Sequence, residues 1–330
     1  MEKADAIKYC KKILPKVSRS FALTIPMLDD NIYKPIMVTY LQDRLLDNFE
    51  DEIKDISLKK RKFLMDKVVE IFDPDSNDSN KSLDIIISYA DLLEEKSLQN
   101  LTRNADILKK AFSLLEYEVK KISYKWLKEM NQGMKKYLTS KVNTFEDLDE
   151  YCYYVAGTVG GFLTETIIYK EDLTPSAVKI LMSKYKDAGL FLQKVNLVRD
   201  IKNDIKNRDK NYWPLQSLNT SVSELLAREN EEKSLEILKR MLNNIKSHIL
   251  SLLEYYQALP DSLPGYKKFF CVNNALGLAT IKKMENNPDI FYGKKKVKVP
   301  KFQFLKIIKS PEKEFIKRCR DFLNTASPSA

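Results

Sequence analysis

Residues 189–204 read GLFLQKVNLVRDIKND, and this stretch carries the clearest indication of the fold. Small and polar residues recur in it at steps of three or four positions: Gly189, Gln193, Asn196, Asp200 and Asp204. Because that spacing is the period of an α-helix, these residues share one helix face and the apolar residues between them point elsewhere. The stretch therefore predicts a long helix, packed on its apolar sides, with two amides and two carboxylates on one face.

A second acidic stretch, TYLQDRLLDNFEDE, covers residues 39–52. Asp47 and Asp51 are four residues apart, with Glu50 beside them, so their side chains point the same way on a helix. Like charges at this spacing repel, and a cation is expected between them. One such stripe usually marks a solvated helix face, but two stripes flanked by apolar residues indicate a shared site.

Carboxylates of this kind are suited to Mg²⁺, which proteins hold through acids and substrate phosphates. Arginine matches the outer oxygens of a diphosphate, and Arg19, Arg44 and Arg199 are available for that contact. The two stripes therefore predict metal-assisted departure of a diphosphate.

The composition agrees with a helical chain and excludes several other classes. Glycine (8) and proline (12) are scarce among 330 residues, which disfavours turn-rich β folds. One histidine, His248, and four scattered cysteines without CxxC spacing leave little for a Cys/His zinc site. A Ser/His/Asp triad would have to use His248.

The formal charge of +10 favours an anionic partner, either nucleic acid, a membrane surface or a phosphorylated substrate. No export signal or membrane span is evident in the sequence, so we expect a cytoplasmic protein, with the cytosolic face of a membrane left open. A monomer without a nucleic-acid partner is the expectation once a diphosphate accounts for the charge.

Two further segments depart from ordinary helix composition. YCYYVAGTVGGFLTE, residues 151–165, holds three of the eight glycines, at 157, 160 and 161. Glycine is unfavourable inside a helix, so the cluster predicts close helix packing or space for a ligand. Residues 289–306, DIFYGKKKVKVPKFQFLK, alternate apolar and basic residues and predict an irregular, extended or hairpin-like basic segment.

These segments together resemble the squalene/phytoene synthase family. The resemblance runs over SRSFA (18–22), YLQDRLLDNFEDE (40–52), YCYYVAGTVG (151–160), GLFLQKVNLVRDIKND (189–204), NYWP (211–214) and FFCVNNALGLAT (269–280). It implies an all-α isoprenoid synthase fold, a single domain over residues 1–330 with a central cavity between helices.

The resemblance is greatest to the squalene-forming members and implies a head-to-head condensation of two farnesyl diphosphates. Presqualene diphosphate would form first and then be reduced to squalene by NADPH. The implied metal ligands for Mg²⁺ are Asp47, Glu50, Asp51, Asp200 and Asp204. The four aspartates among these, with Tyr151, are also the implied catalytic residues, Tyr151 acting in formation of the cyclopropyl intermediate.

The resemblance further implies substrate contacts at Ser18, Arg19, Ser20, Phe21, Tyr40, Arg44, Gln193 and Phe270. It implies NADPH contacts at Asn196, Arg199, Lys296 and Lys298. This sequence departs from the family pattern at three positions, with Asn203 for an acid, Lys298 for an arginine and Asn274 for a proline.

Two other interpretations stay open at this point. Phytoene and dehydrosqualene synthases share the acidic motifs but do not use NADPH. A non-enzymatic basic helical protein that docks on membranes or on partner helices would leave both acidic stripes solvated.

Overall fold

The computed structural model describes residues 3–18, 21–53, 56–76, 79–208 and 210–326. Helices make up most of these residues, which confirms the predicted all-α class. Within the same ranges there is no strand, and the one isolated antiparallel bridge joins Ile53 to Leu93.

The chain divides into two compact units, and the prediction of a single domain stays a prediction. The first unit comprises residues 1–139 and 161–172. Its helices are α1 (Lys3–Val17), α2 (Phe21–Thr24), α3 (Asp30–Asp47), α4 (Leu58–Ile71), α5 (Asn80–Ser88), α6 (Lys96–Arg103), α7 (Ala105–Ser113) and α8 (Tyr117–Tyr137). Helix α3 packs against α1, α7 and α8, so the first acidic stripe is carried by the helix at the centre of this unit.

The second unit comprises residues 140–160 and 173–330. Its helices are α9 (Phe145–Cys152), the start of α10 (Thr158–Lys170), α11 (Pro175–Arg208), α12 (Leu215–Leu218), α13 (Val222–Leu226), α14 (Glu231–Lys246), α15 (Ile249–Ala258), α16 (Pro264–Met284), α17 (Asp289–Tyr292), α18 (Lys301–Lys309) and α19 (Pro311–Ala326). Helix α11 packs against α9, α14, α15, α16 and α17, and it carries the second acidic stripe.

Side-chain caps define where the two motif-bearing helices of the second unit begin. Thr144 accepts a hydrogen bond from Asp147 N while the Asp147 carboxylate accepts from Thr144 N, a reciprocal capping box at the start of α9. Thr174 Oγ1 accepts from Ala177 N at 3.2 Å and so caps α11.

Gly160, from the glycine cluster predicted to mark close packing, and Gly189 both lie at the contact between α11 and residues 156–160. A Cβ at Gly189 would lie 2.2 Å from Ala156 O, and one at Gly160 would lie 2.4 Å from Tyr185 O. Both obstacles are backbone atoms that cannot rotate away. The backbones therefore approach so closely that only glycine fits at these two positions.

The basic segment is less irregular than its sequence predicts. Residues 289–292 form α17 and residues 301–309 form α18, so the non-helical part covers only residues 293–300. The expectation of an extended or hairpin-like segment over 289–306 was wrong at both ends. Alternation over so few residues is also compatible with a helix, and Ile307 is fully buried on one side of α18.

None of the helices in the described ranges is both long and apolar enough to cross a bilayer. All four cysteines are buried free thiols.

Candidate active site

Three acids of the first stripe form a compact cluster. Asp47 ends α3, and the helix continues as a π-helical turn, Asn48–Glu52, that carries Glu50 and Asp51. One carboxylate oxygen from each of Asp47, Glu50 and Asp51 lies within 4.8 Å of the others. The wider turn brings all three acids onto one side, and π-helical insertions of this kind are frequent at functional sites.

A cation lies beside this cluster, as the spacing of the acids predicted. The Arg44 guanidinium is paired with the Asp47 carboxylate and lies 3.6 Å from Glu52 Oε1. Burial, followed by the charge of Asp47, raises the pKa of Asp43 to about 8. Asp43 is therefore mostly neutral at pH 7 and adds little to the repulsion among the three acids.

Arg61 holds the π-helical turn in place, and the sequence analysis missed it. Its guanidinium donates to Glu50 O at 2.6 Å and to Ile53 O, two carbonyls in and directly after the π-helical turn. Arg61 therefore fixes the backbone that carries Glu50 and Asp51. No sequence signal points to it, because it lies in a lysine-rich stretch of α4, KKRK, that is indistinguishable from a solvated face.

The aromatic residues predicted near this cluster are also together. The rings of Phe21 and Tyr40 are 5.2 Å apart and tilted by 51°. Burial raises the pKa of Tyr40, while a hydrogen bond from Ser18 and the charge of Arg44 act in the opposite direction. Arg19 and Ser20 lie outside the described residues, so their predicted substrate contacts stay predictions.

In the second unit, Asp200 is already enclosed by cations. Arg199 Nη2 lies 2.7 Å from Asp200 Oδ2, and Lys296 Nζ lies 2.6 Å from Asp200 Oδ1. Burial alone would raise the pKa of Asp200, but Arg199 and Lys296 outweigh burial and lower it. Asp204 is buried on the same helix, and Gln193 is half-buried one turn before Asn196, which is exposed.

An open cavity of about 310 Å³ adjoins Asp200. Among the described residues, its lining holds two acids, Asp200 and Asp289. Six cationic residues also line it: Arg199, Lys202, Lys206, Lys294, Lys295 and Lys296. Of the residues predicted to contact NADPH, Arg199 and Lys296 belong to this lining, whereas Asn196 and Lys298 do not. The sequence analysis missed Lys202 and Lys206, although their helical spacing from Arg199 could have revealed them.

Lys202 also fixes the wall of the cavity. Its Nζ donates to Gly293 O at 2.5 Å, which ties the basic loop after α17 to α11. The cationic side chains of the loop are therefore held against the second acidic motif.

Tyr151 is buried near the end of α9, and its ring stacks on Tyr212 with a centroid distance of 4.4 Å and an angle of 18°. A second π-helical turn, Tyr153–Gly157, follows directly. Both π-helical turns in the described residues thus fall on stretches that the sequence analysis singled out.

Phe270 lies in the core of the second unit. Its ring stacks on Tyr255 at 5.1 Å and meets Phe315 edge-on at 5.6 Å. These contacts favour a packing role, and the predicted substrate contact of Phe270 stays a prediction.

The chain's one histidine belongs to a buried polar network. Lys194 is fully buried, and its Nζ lies 2.5 Å from Asp149 Oδ1, 2.7 Å from Asn244 Oδ1 and 2.8 Å from His248 Nε2. Because an ammonium only donates, Nε2 accepts and the His248 proton is on Nδ1, which donates to Asp187 Oδ1 at 2.6 Å. In a Ser/His/Asp triad, the ring nitrogen that does not bind the aspartate accepts the proton of the serine. In His248 that nitrogen is Nε2, and it is bound to Lys194.

Comparison with known proteins places the chain among related sequences and structures. Residues 14–303 match the family model described as squalene/phytoene synthase. "Squalene synthase 1" of Arabidopsis thaliana is 31% identical over 292 residues, covering 86% of this chain and 67% of that protein. "Inactive squalene synthase 2" of the same plant is 31% identical over 294 residues, covering 87% and 67%.

A solved structure titled "The complex structure of TcSQS with ligand, E5700" superposes with a TM-score of 0.84 at 26% identity. The match covers 98% of this chain and 92% of that chain. An all-α chain with this topology and a carboxylate cluster at the end of α3 has the fold of an isoprenoid synthase. The chain belongs to the squalene/phytoene synthase family, and it spans about two thirds of the length of the two plant relatives.

Proposed function

We propose that this chain is a squalene synthase that condenses two farnesyl diphosphates and reduces the product with NADPH. The observation that carries the proposal is the cluster of Asp47, Glu50 and Asp51 on a π-helical turn, in a member of this family. Because a relative named "Inactive squalene synthase 2" is as similar as one named "Squalene synthase 1", identity alone does not decide activity. The chemistry of this chain's own residues has to support it.

The acid cluster fits Mg²⁺. Three carboxylates with oxygens within 4.8 Å of one another form an all-oxygen donor set, which a hard divalent cation prefers. Bound there, Mg²⁺ would neutralise charge on the departing diphosphate. Arg44 supplies a fixed positive charge at the edge of the cluster, and Arg61 holds the turn that positions two of the acids.

We propose that Asp200 and Asp204, on α11 of the second unit, are a further pair of metal-binding carboxylates. Asp200 has a further role in the proposal, because it holds Arg199 and Lys296 next to the cationic cavity. These two cations are suited to phosphate oxygens, and Asp200 keeps both side chains oriented before any anion binds.

The proposed first half-reaction breaks the C1–O bond of one farnesyl diphosphate, and the diphosphate leaves with the electron pair. The double bond of the second molecule attacks the allylic cation, and loss of a proton closes the cyclopropane of presqualene diphosphate. Tyr151 is proposed to act at this step, either as the proton acceptor or as the group that positions the released diphosphate to accept it. Its stacking on Tyr212 restricts the ring to one orientation and shields it from water.

The cationic cavity is the proposed site for the phosphates of NADPH. Its volume of about 310 Å³ is at the lower end of the ~300–1,000 Å³ of small-molecule sites, so it would enclose part of the dinucleotide. Bound there, NADPH would supply the hydride for the second half-reaction. The six cations of the lining favour a ligand with several phosphates over a neutral one.

Product analysis tests the proposal directly. Purified protein is incubated with farnesyl diphosphate and Mg²⁺, with and without NADPH, and the products are separated by mass. We expect squalene only with NADPH, and presqualene diphosphate or a dehydro product without it. Products that are indifferent to NADPH would instead indicate a dehydrosqualene synthase.

A parallel incubation with geranylgeranyl diphosphate in place of farnesyl diphosphate adds two outcomes that would contradict the proposal. Conversion of geranylgeranyl diphosphate alone would indicate a phytoene synthase. Failure to consume either prenyl diphosphate, from folded protein with Mg²⁺ present, would favour the non-enzymatic interpretation.

A further inference from the structure

Helix α18 presents an apolar surface that no described element covers. Phe302 is 69% exposed and Leu305 is 56% exposed, and they are the two most exposed large hydrophobic side chains among the described residues. They are three residues apart and thus neighbours on the helix. Single exposed apolar residues are common on soluble proteins, but this pair is set within a concentration of positive charge.

Residues 294–309 contain seven lysines and no acid. Lys306 and Lys309 follow Phe302 and Leu305 by four residues, so both lysines flank the apolar pair on the same side of the helix. Lys296 and Lys306 are paired with Asp200 and Glu314, but each of these acids also binds an arginine, so the segment keeps an excess of positive charge.

The packing of α18 fixes which side faces outward. Ile307 is fully buried on the opposite side of the helix, where α18 packs on α16 and α19. Lys306 Nζ lies 3.0 Å from Oε1 of the buried Glu314 on α19. The burial of Ile307 and the ion pair between Lys306 and Glu314 together fix the rotation of α18. Phe302 and Leu305 therefore stay on its outward side.

We propose that the outward face of α18, defined by Lys301, Phe302, Leu305 and Lys309, docks the protein on an anionic phospholipid surface. Apolar side chains flanked by lysines are suited to bind such a surface. The apolar side chains insert at the boundary between headgroups and acyl chains, while the lysines pair with lipid phosphates. The proposal extends the proposed function, since farnesyl chains and squalene partition into membranes. It does not depend on catalysis, because docking is measured without substrate.

Vesicle flotation of the full chain tests this inference. We expect binding to vesicles of phosphatidylcholine with about 30% phosphatidylserine, weak binding to pure phosphatidylcholine, and loss of binding at high salt, which screens charge. Phe302→Ser with Leu305→Ser should lower the partition coefficient at least tenfold. The matched control Ile180→Ser with Leu250→Ser, which changes two exposed apolar residues elsewhere, should leave it unchanged.

A second pair of variants tests the charge. Lys301→Gln with Lys309→Gln should weaken binding on the order of tenfold, because each lysine near an anionic surface adds attraction. Lys233→Gln with Lys239→Gln on α14 removes the same charge from another helix and should have a much smaller effect.

Three results would overturn the inference. One is equal vesicle binding by the wild type and by the Phe302→Ser/Leu305→Ser variant. Another is equal binding to vesicles with and without phosphatidylserine. The third is a dimer in analytical ultracentrifugation that the same variant abolishes, without vesicle binding, since the α18 face would then belong to a second copy of the chain. Activity of the variant in detergent shows separately whether the proposed function holds.

Discussion

Asp47→Asn is expected to lower the turnover of farnesyl diphosphate by about 10²-fold or more, with little loss of stability. The size follows from the effect of removing one group that stabilises developing charge at an active site. Asp47 shares a compact cluster with Glu50 and Asp51 and is paired with Arg44. Losing its charge removes a proposed metal ligand, but it also relieves repulsion between neighbouring acids.

The measurement is steady-state turnover at saturating Mg²⁺, combined with the midpoint of thermal unfolding. Asp30→Asn is the matched control, because Asp30 is an exposed acid at the start of the same helix. We expect the control to keep wild-type turnover. Near-wild-type turnover of Asp47→Asn would remove the cluster from the mechanism.

Lys194→Met is expected to destabilise the fold by about 1–3 kcal/mol, because His248 Nε2, which is buried, loses its hydrogen-bond donor and the half-exposed Asp149 loses its ion pair. Methionine matches lysine in length, so the loss is one of charge and hydrogen bonds more than of volume. The variant leaves Asp149, Asn244 and His248 without the ammonium that each now contacts. A loss of this size is a large fraction of the ~5–15 kcal/mol that stabilises a typical protein.

Denaturant titration of the free energy of unfolding checks this expectation. Lys184→Met is the control on the same helix, because the Lys184–Glu254 pair is partly exposed and such pairs contribute about 0–1 kcal/mol. If the two variants had the same free energy of unfolding, the network around Lys194 would contribute no more to stability than the partly exposed pair.

Much of the candidate site follows from helical period alone. The spacing of Gln193, Asn196 and Asp200 placed these residues on one helix face because α11 is continuous through them. Asp47 and Asp51 also come together as their spacing predicted, although Asp51 lies on a π-helical turn after the end of α3. Close packing at Gly160 was predictable because a helix tolerates glycine poorly unless another backbone requires it, whereas the close approach at Gly189 was not predicted.

The rest depends on contacts between residues distant in sequence. The π-helical turn at Asn48–Glu52 is held by Arg61 from another helix, and no local pattern encodes that contact. Lys194 lies in the quoted motif between Gln193 and Val195, yet only the fold shows that it is buried with His248. The basic segment was predicted as irregular because its alternation hides the single buried side of α18.

Transfer of hydride from NADPH to the product tests the proposed squalene synthase activity most directly. Protein is incubated with farnesyl diphosphate, Mg²⁺ and NADPH deuterated at both C4 positions, and the mass of the product is determined. We expect squalene that carries one deuterium, and no squalene when NADPH is omitted. A condensed hydrocarbon without deuterium, formed equally well without NADPH, would contradict it.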